Sequence, residues 1–318
     1  MKTYFFTYLK GMAMGAADVV PGVSGGTIAF ISGIYERLIK AIKSINFSVL
    51  GTLFKQGIGA AWQQIDGTFL VSLFLGILTS ILSLAKGISW ALDAYPQLLW
   101  SFFFGLVLAS TVFVAQDISR EAKKQNINAW TFGTITAFLI GAATAYGITL
   151  LSPAAAPLSG GATDYLIFFG AGAIAICAMI LPGISGSFIL LLMGMYPIVL
   201  EAATKFKVDV LAVFMLGCLI GLLLFSHVLS WLFTHFRAIA MAVLTGFMLG
   251  SLNKVWPWQN VLQTRMNSKG EEVPFLYENV LPAQYSGDAY VLYCGLLLVV
   301  GFLVVFGIEK LSRAAKTE

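Results

Sequence analysis

Charge is what this sequence has least of. Only 11% of its 318 residues are Asp, Glu, Lys or Arg, and 58% are hydrophobic. Stretches such as Tyr165–Leu181 and Tyr290–Ile308 contain no charged side chain. A soluble domain of this size has no interior large enough to hide so much apolar surface, so the solvent is a bilayer. Strand-like alternation is also missing, which excludes a barrel and leaves helices as the way to satisfy the backbone in lipid. Cysteine is scarce: Cys177, Cys218 and Cys294 sit far apart in apolar runs without metal-ligand spacing, and read as small core residues rather than a disulfide or metal site. No apolar segment with a small-residue cleavage site follows Lys2 and Lys10, so the N-terminus is expected to be retained. The net charge of +4 gives no case for nucleic acid as a partner.

What the sequence does contain is a repeat. Ala17–Ala41 aligns without gaps on Ala178–Ala202, ADVVPGVSGGTIAFISGIYERLIKA against AMILPGISGSFILLLMGMYPIVLEA, with nine of 25 positions identical. Further on, LVSLFLGIL from Leu70 matches LAVFMLGCL from Leu211, Gly105 matches Gly246, and Gly141 and Gly147 match Gly301 and Gly307. Ordered self-similarity of this kind indicates a duplication. The expected fold is an all-α polytopic membrane protein made of two inverted-topology repeats, each a re-entrant broken-helix hairpin followed by three transmembrane helices. The first repeat, 1–152, has its hairpin break around 21–26, an interfacial helix over 44–66, and spans near 67–85, 96–116 and 129–151. The second, 165–308, has its break around 182–187 and spans near 209–230, 237–252 and 289–308, with an outside loop over 253–288 and a tail over 309–318. An odd number of crossings per copy is what turns the second copy upside down. With the N-terminus inside, 13 of the Lys and Arg residues fall on the cytoplasmic side and six outside, so both termini are expected in the cytoplasm.

The two breaks, PGVSG at Pro21 and PGISG at Pro182, are where chemistry is expected. Pro21 and Pro182 stop the first arm of each hairpin, while Gly22 and Gly183 permit unusual backbone angles. The second arm then starts with bare amides at membrane depth, which only a wet cavity or surrounding protein tolerates. The amides of Gly25, Gly26 and Gly186, with the hydroxyls of Ser24, Thr27, Ser185 and Ser187, make a candidate anion cradle at a helix N-terminus. Paired broken helices in matched positions are the sequence mark of a transporter's binding site. The competing reading is a pair of kinks that let helices pack closely. Asp18, an intramembrane acid, suits ion coupling or bracing of the neighbouring loop. Arg37 is the cation nearest the first break and suits bidentate phosphate binding, Glu36 beside it suits coupling or bracing, and either could instead be an anchored helix face. His227, His235 and Arg237 read as ordinary loop residues. No cofactor or metal is implied, and the pattern allows proton or sodium coupling.

These two motifs, GAADVVPGVSGGTIAFISGIYE over Gly15–Glu36 and LPGISGSFILLLMGMY over Leu181–Tyr196, resemble a bacterial and archaeal membrane family associated with polyprenyl-phosphate transport, once catalogued as a domain of unknown function. The resemblance covers nearly the whole chain. It implies a flippase in the cytoplasmic (inner) membrane that returns undecaprenyl phosphate from the outer to the cytoplasmic leaflet for cell-envelope synthesis. Where many relatives carry an acid after the second tyrosine, this chain has Pro197, which argues against a symmetric pair of acids. The alternatives are an ion-coupled small-anion transporter or channel and, with less to support it, a lipid-phosphate phosphatase, for which the scattered acids offer no catalytic constellation. The oligomeric state is not legible.

Overall fold

The computed structural model describes residues 2–20, 23–124, 126, 128–151, 153, 156, 158, 161–266 and 272–317. The chain begins with α1 (Lys2–Val19), which ends at the first break; Pro21 and Gly22 of that break lie outside the described residues. Beyond it come two short helices, α2 (Gly25–Ile31) and α3 (Tyr35–Ser44), then α4 (Phe47–Gln56) and α5 (Ile58–Gln64). Three long helices follow: α6 (Gly67–Ala94), α7 (Pro96–Lys124) and α8 (Phe132–Leu150). The order then recurs as α9 (Thr163–Ile180), α10 (Gly186–Leu192), α11 (Tyr196–Thr204), α12 (Val208–His235), α13 (Arg237–Ser251) and α14 (Val291–Thr317). By length and composition α6, α7, α8, α9 and α12 can each cross a membrane, the bent pair α10 and α11 adds one more candidate, and α13 and 291–307 are shorter apolar helices. The protein is thus a helical, multi-pass membrane protein.

Three features differ from the sequence expectation. Each arm after a break is itself broken a second time, at Gly33 and at Gly194, whose φ values are +71° and +69°. Both turns close in one pattern: Ile34 N donates to Ala29 O at 3.0 Å and Met195 N to Leu190 O at 2.9 Å, each the long six-residue bond of a Schellman cap. The α10–α11 bend is 111°. The single interfacial helix expected over 44–66 is two helices, because Gly57 (φ +86°) ends α4 and α5 starts again from it. The loop expected over 253–288 carries an antiparallel hairpin, β1 (Gln259–Met266) paired with β2 (Glu272–Asn279).

Four helix pairs build the body: α1 with α6, α9 with α12, α7 with α14, and α8 with α13. Glycine sets their approach. A Cβ on Gly11 would strike the Leu73 carbonyl and one on Gly76 the Tyr8 carbonyl. At the aligned positions, a Cβ on Gly172 would strike the Phe214 carbonyl and one on Gly217 the Phe169 carbonyl. The same holds across the other pairs: Gly105 against Leu298 and Gly246 against Phe138, Gly301 against Phe102 and Gly141 against Val243. Positions that the sequence aligns therefore make matching contacts. Small residues allow such backbone proximity, and dispersion with weak Cα–H···O bonds holds the pairs where lipid supplies no hydrophobic drive.

It follows that Gly217→Val and Gly76→Val should each destabilise the detergent-solubilised protein by about 3 kcal/mol or more, since backbone cannot yield as a side chain can. Gly147→Val, at a site with nothing within 4 Å, should leave the melting temperature unchanged or raise it.

Candidate functional site

The two breaks meet. Ser24, 1% exposed, caps α2 by accepting from Gly26 N at 3.1 Å, and its hydroxyl donates across to Met179 O at 3.0 Å, with Leu181 O at 3.4 Å. Those carbonyls lie where the second break ends α9, and the amide that would serve Met179 O in a continuing helix, Gly183 N, is turned elsewhere. In return, Gly183 N donates to Thr27 Oγ1 at 2.9 Å, and Thr27 is also 1% exposed. Gly183 holds φ +84°, and a Cβ on it would lie 2.8 Å from Phe247 O, so only glycine fits. Gly26 is equally confined, its missing Cβ 2.5 Å from Ile180 O.

The amides at the two breaks are served differently. At the first, Asp18 Oδ1 accepts from Gly25 N at 2.6 Å and Ser24 accepts from Gly26 N, so the leading amides of α2 already have acceptors. Asp18 therefore sits in bracing geometry, its carboxylate taking the place an external anion would occupy. At the second, Ser185 gives α10 no side-chain cap, and its hydroxyl pairs with that of Ser187 at 2.9 Å. Ser185, Gly186 and Pro182 are buried and Ser187 is exposed.

Arg37 and Glu36 do not join this latch. They line a cavity of about 600 Å³ at one end of the bundle, with Tyr35, Lys40, Asp66, Asp117 and Arg237. Arg37 lies over the Phe69 ring at 4.4 Å and grips Asp66 with two bonds, Nε to Oδ2 at 2.6 Å and Nη2 to Oδ1 at 3.0 Å. Arg237 opens α13 and reaches Glu36 Oε1 through Nε at 3.1 Å and Nη2 at 2.9 Å, while Nη1 bonds Glu121. A second cavity of about 330 Å³ shares Arg237 and Met241 as lining. Lys10 Nζ donates to Ser32 O at 2.7 Å, securing the turn that leads into the cavity.

The Tyr35 hydroxyl is the unusual group here. The residue is 2% exposed, wedged edge-on between Phe30 and Phe233, and its oxygen has no hydrogen-bond partner. Buried donors are nearly always paired, so an orphan at a cavity wall marks a place where a ligand atom or water belongs. Two guanidinium groups lining one cavity suit phosphate chemistry, and the buried phenol stands in the same wall. Neither the orphaned hydroxyl nor the role of Arg237 was legible in sequence, because Glu36 and Arg237 meet across 201 positions. The shared tyrosine of the SGIY and MGMY segments was the available signal for the first.

Paired broken helices, latched at their breaks beside a cavity of mixed charge, define a membrane transport architecture. Residues 14–273 match the family model described as VCA0040-like, undecaprenyl phosphate translocase-like, and the chain belongs to that family. A protein of Vibrio cholerae named polyprenyl-phosphate transporter is 49% identical over 314 residues, covering 98% of this chain and 97% of that protein. A Staphylococcus aureus protein of the same name is 31% identical over 259 residues, 78% of this chain and 85% of the relative. No solved structure matches the chain.

Tyr35→Phe separates fold from ligand. Removing an unpaired buried hydroxyl should leave thermal stability unchanged or raise it by about 1 kcal/mol, whereas affinity for a phosphate-bearing lipid should fall. Melting curves with and without undecaprenyl phosphate check both halves, and loss of intrinsic stability would show that the hydroxyl serves the fold.

Proposed function

We propose that this protein carries a polyprenyl phosphate such as undecaprenyl phosphate from the outer to the cytoplasmic leaflet, returning carrier lipid for cell-envelope synthesis, as two inverted repeats rocking around the latched breaks. Both termini and the Arg37–Arg237 cavity face the cytoplasm of a bacterial or archaeal inner membrane, in keeping with the distribution of Lys and Arg along the chain. The observation that carries the reading is the cavity: two guanidiniums, Lys40 and an unpaired buried hydroxyl gather at one end, while the breaks are closed against each other. The inverted repeat is supported by the matching glycine contacts at aligned positions. The names of the two relatives support the substrate.

The mechanism follows from what each contact costs to break. In the inward-open state the headgroup reaches Arg37, Arg237 and Tyr35, competing with Asp66, Glu36 and Glu121 for their donors. Moving one repeat against the other parts Ser24 from Met179 and Thr27 from Gly183, which frees the Ser24 and Thr27 hydroxyls and the Gly183 amide for the passing phosphate beside Ser185, Gly186 and Ser187, while Asp18 and Ser24 keep the Gly25 and Gly26 amides. The prenyl chain stays in lipid, so only the headgroup needs a polar route. The cavity lining carries three cations and three carboxylates and is formally neutral. A phosphate monoester brings about −1.5 to −2 charges, which favours co-entry of a proton or sodium ion, with Glu36 or Asp18 as the acceptor. This reading needs no nucleophile and describes no enzyme.

In proteoliposomes, the wild-type chain should exchange undecaprenyl phosphate between leaflets, and Arg37→Gln with Arg237→Gln should slow exchange about ten-fold or more. Ser24→Ala, which unties the latch, should also impair exchange. Uptake of inorganic phosphate in preference to the lipid would establish a small-anion carrier instead, and release of phosphate from the lipid would establish a phosphatase.

A further inference from the structure

The Arg37–Arg237 cavity accounts for one end of α13. Its other end, about 20 Å away along the helix by rise per residue, carries a second unusual cation. Lys254 lies three residues beyond Ser251, the last residue of α13, and its backbone N donates to Ser251 O at 2.9 Å. This is the segment against which the second break is packed, since a Cβ on Gly183 would meet Phe247 O and the Ser251 hydroxyl within 2.9 Å. The Lys254 side chain turns back toward that break. Its Nζ stands 4.5 Å over the ring of Phe188, the residue after Ser187 in α10, and 5.6 Å over that of Tyr277 in β2.

Both arginines of the cavity have acids, and Lys40 on its lining is exposed. Arg37 is paired with Asp66, and Arg237 with Glu36 and Glu121. Lys254 is half-buried, and no carboxylate among the described residues lies within 4 Å of its ammonium. Burial pushes its pKa below the usual lysine range. Aromatic faces hold a cation in place without cancelling its charge, so the full attraction for an anion is preserved. A structural lysine at such a position would ordinarily be paired or would extend to water.

We propose that Lys254 is the headgroup-capturing cation of the pathway end opposite the Arg37–Arg237 cavity, taking the phosphate monoester of a polyprenyl lipid beside Ser187 before the breaks part. This rests on the lipid-phosphate reading above. The β1–β2 hairpin, through Tyr277, is then the cover of that site. One helix, α13, carries a phosphate-binding cation at or near each end, and the two sites differ in kind: at the cavity the anion competes with carboxylates already bonded to the arginines, while at Lys254 no carboxylate among the described residues lies within 4 Å. Capture is favoured at the Lys254 end and release at the other.

The test uses the full-length chain in detergent and three probes: undecaprenyl phosphate, undecaprenol and inorganic phosphate. With Arg37→Gln and Arg237→Gln disabling the cavity, binding of undecaprenyl phosphate should persist. Adding Lys254→Met should then weaken it about ten-fold or more, the size expected for a lost charge-assisted bond, while Lys254→Arg retains it and undecaprenol binding does not change. Binding that vanishes with the cavity variants, or that ignores Lys254→Met, overturns the proposal. Should Lys254→Met fail to fold, labelling of the Lys254 amine in the otherwise unaltered chain decides: undecaprenyl phosphate should protect it from a water-soluble amine reagent and undecaprenol should not. Absence of protection overturns the site, and equal protection by inorganic phosphate overturns the lipid as its ligand. Failure of the transport reading is separate, because it shows as absent lipid exchange by the wild-type chain.

Discussion

A helix broken inside a bilayer frees backbone groups that lipid cannot satisfy, and the rest of this structure is organised around that constraint. The second break ends α9 and takes the helical partner from the Met179 carbonyl, and the hydroxyl that serves it, on Ser24, belongs to the first break. The first break offers Thr27 Oγ1, and the amide that uses it, on Gly183, belongs to the second. Neither break is complete alone. The close fit of Gly26 on Ile180 O and of Gly183 on Phe247 O brings the two within bonding range, so the glycines determine the latch as much as the hydroxyls do. An arrangement in which two elements satisfy each other's backbone opens only where water or a polar ligand replaces the lost bonds, which is the kind of element the proposed alternating mechanism calls on.

The sequence disclosed the parts of this that depend on local pattern. Pro-Gly-x-Ser-Gly occurring twice located both breaks, and apolar runs located the long helices, because proline geometry and hydropathy act over a few residues. It did not disclose the second pair of breaks, although Gly33 and Gly194 align, since a glycine within an apolar helix reads equally well as a packing residue. Only their positive φ and the matching six-residue bonds identify them as turns. Gly57 hid the split between α4 and α5 for the same reason. The site was less legible than the fold. Arg237 beside its two histidines looks like any loop cation until α13 is packed against α7 and its guanidinium meets Glu121 there and Glu36 in α3. Asp18 was open to coupling or bracing because sequence cannot show whether an amide lies in reach; here the Gly25 amide does.

Electrostatic balance explains why the cavity's arginines are paired. Two partly exposed guanidiniums lining one cavity repel each other, and Asp66, Glu36 and Glu121 offset that repulsion. On the function proposed above, a phosphate wins donors from carboxylates already in place. The gain on binding is the difference between two similar bond sets rather than the whole of one, so affinity is moderate by construction. A carrier benefits from this, because a headgroup held too tightly is never released.

The asymmetry between the repeats acquires a use on this view. If both ends of the pathway were built alike, the empty protein would bind headgroup equally from either leaflet and merely equilibrate it. Glu36 in the first copy is Pro197 in the second, so that position of α11 offers no carboxylate. The second break is joined instead by Lys254, which is contributed from outside the hairpin and has only rings for neighbours among the contacts of its ammonium. Unequal affinities at the two ends cannot by themselves drive net transport, because no static difference in binding moves an equilibrium between leaflets. They can set which end captures at low lipid concentration and which lets go, leaving direction to the lipid gradient or to an ion that titrates the formally neutral cavity.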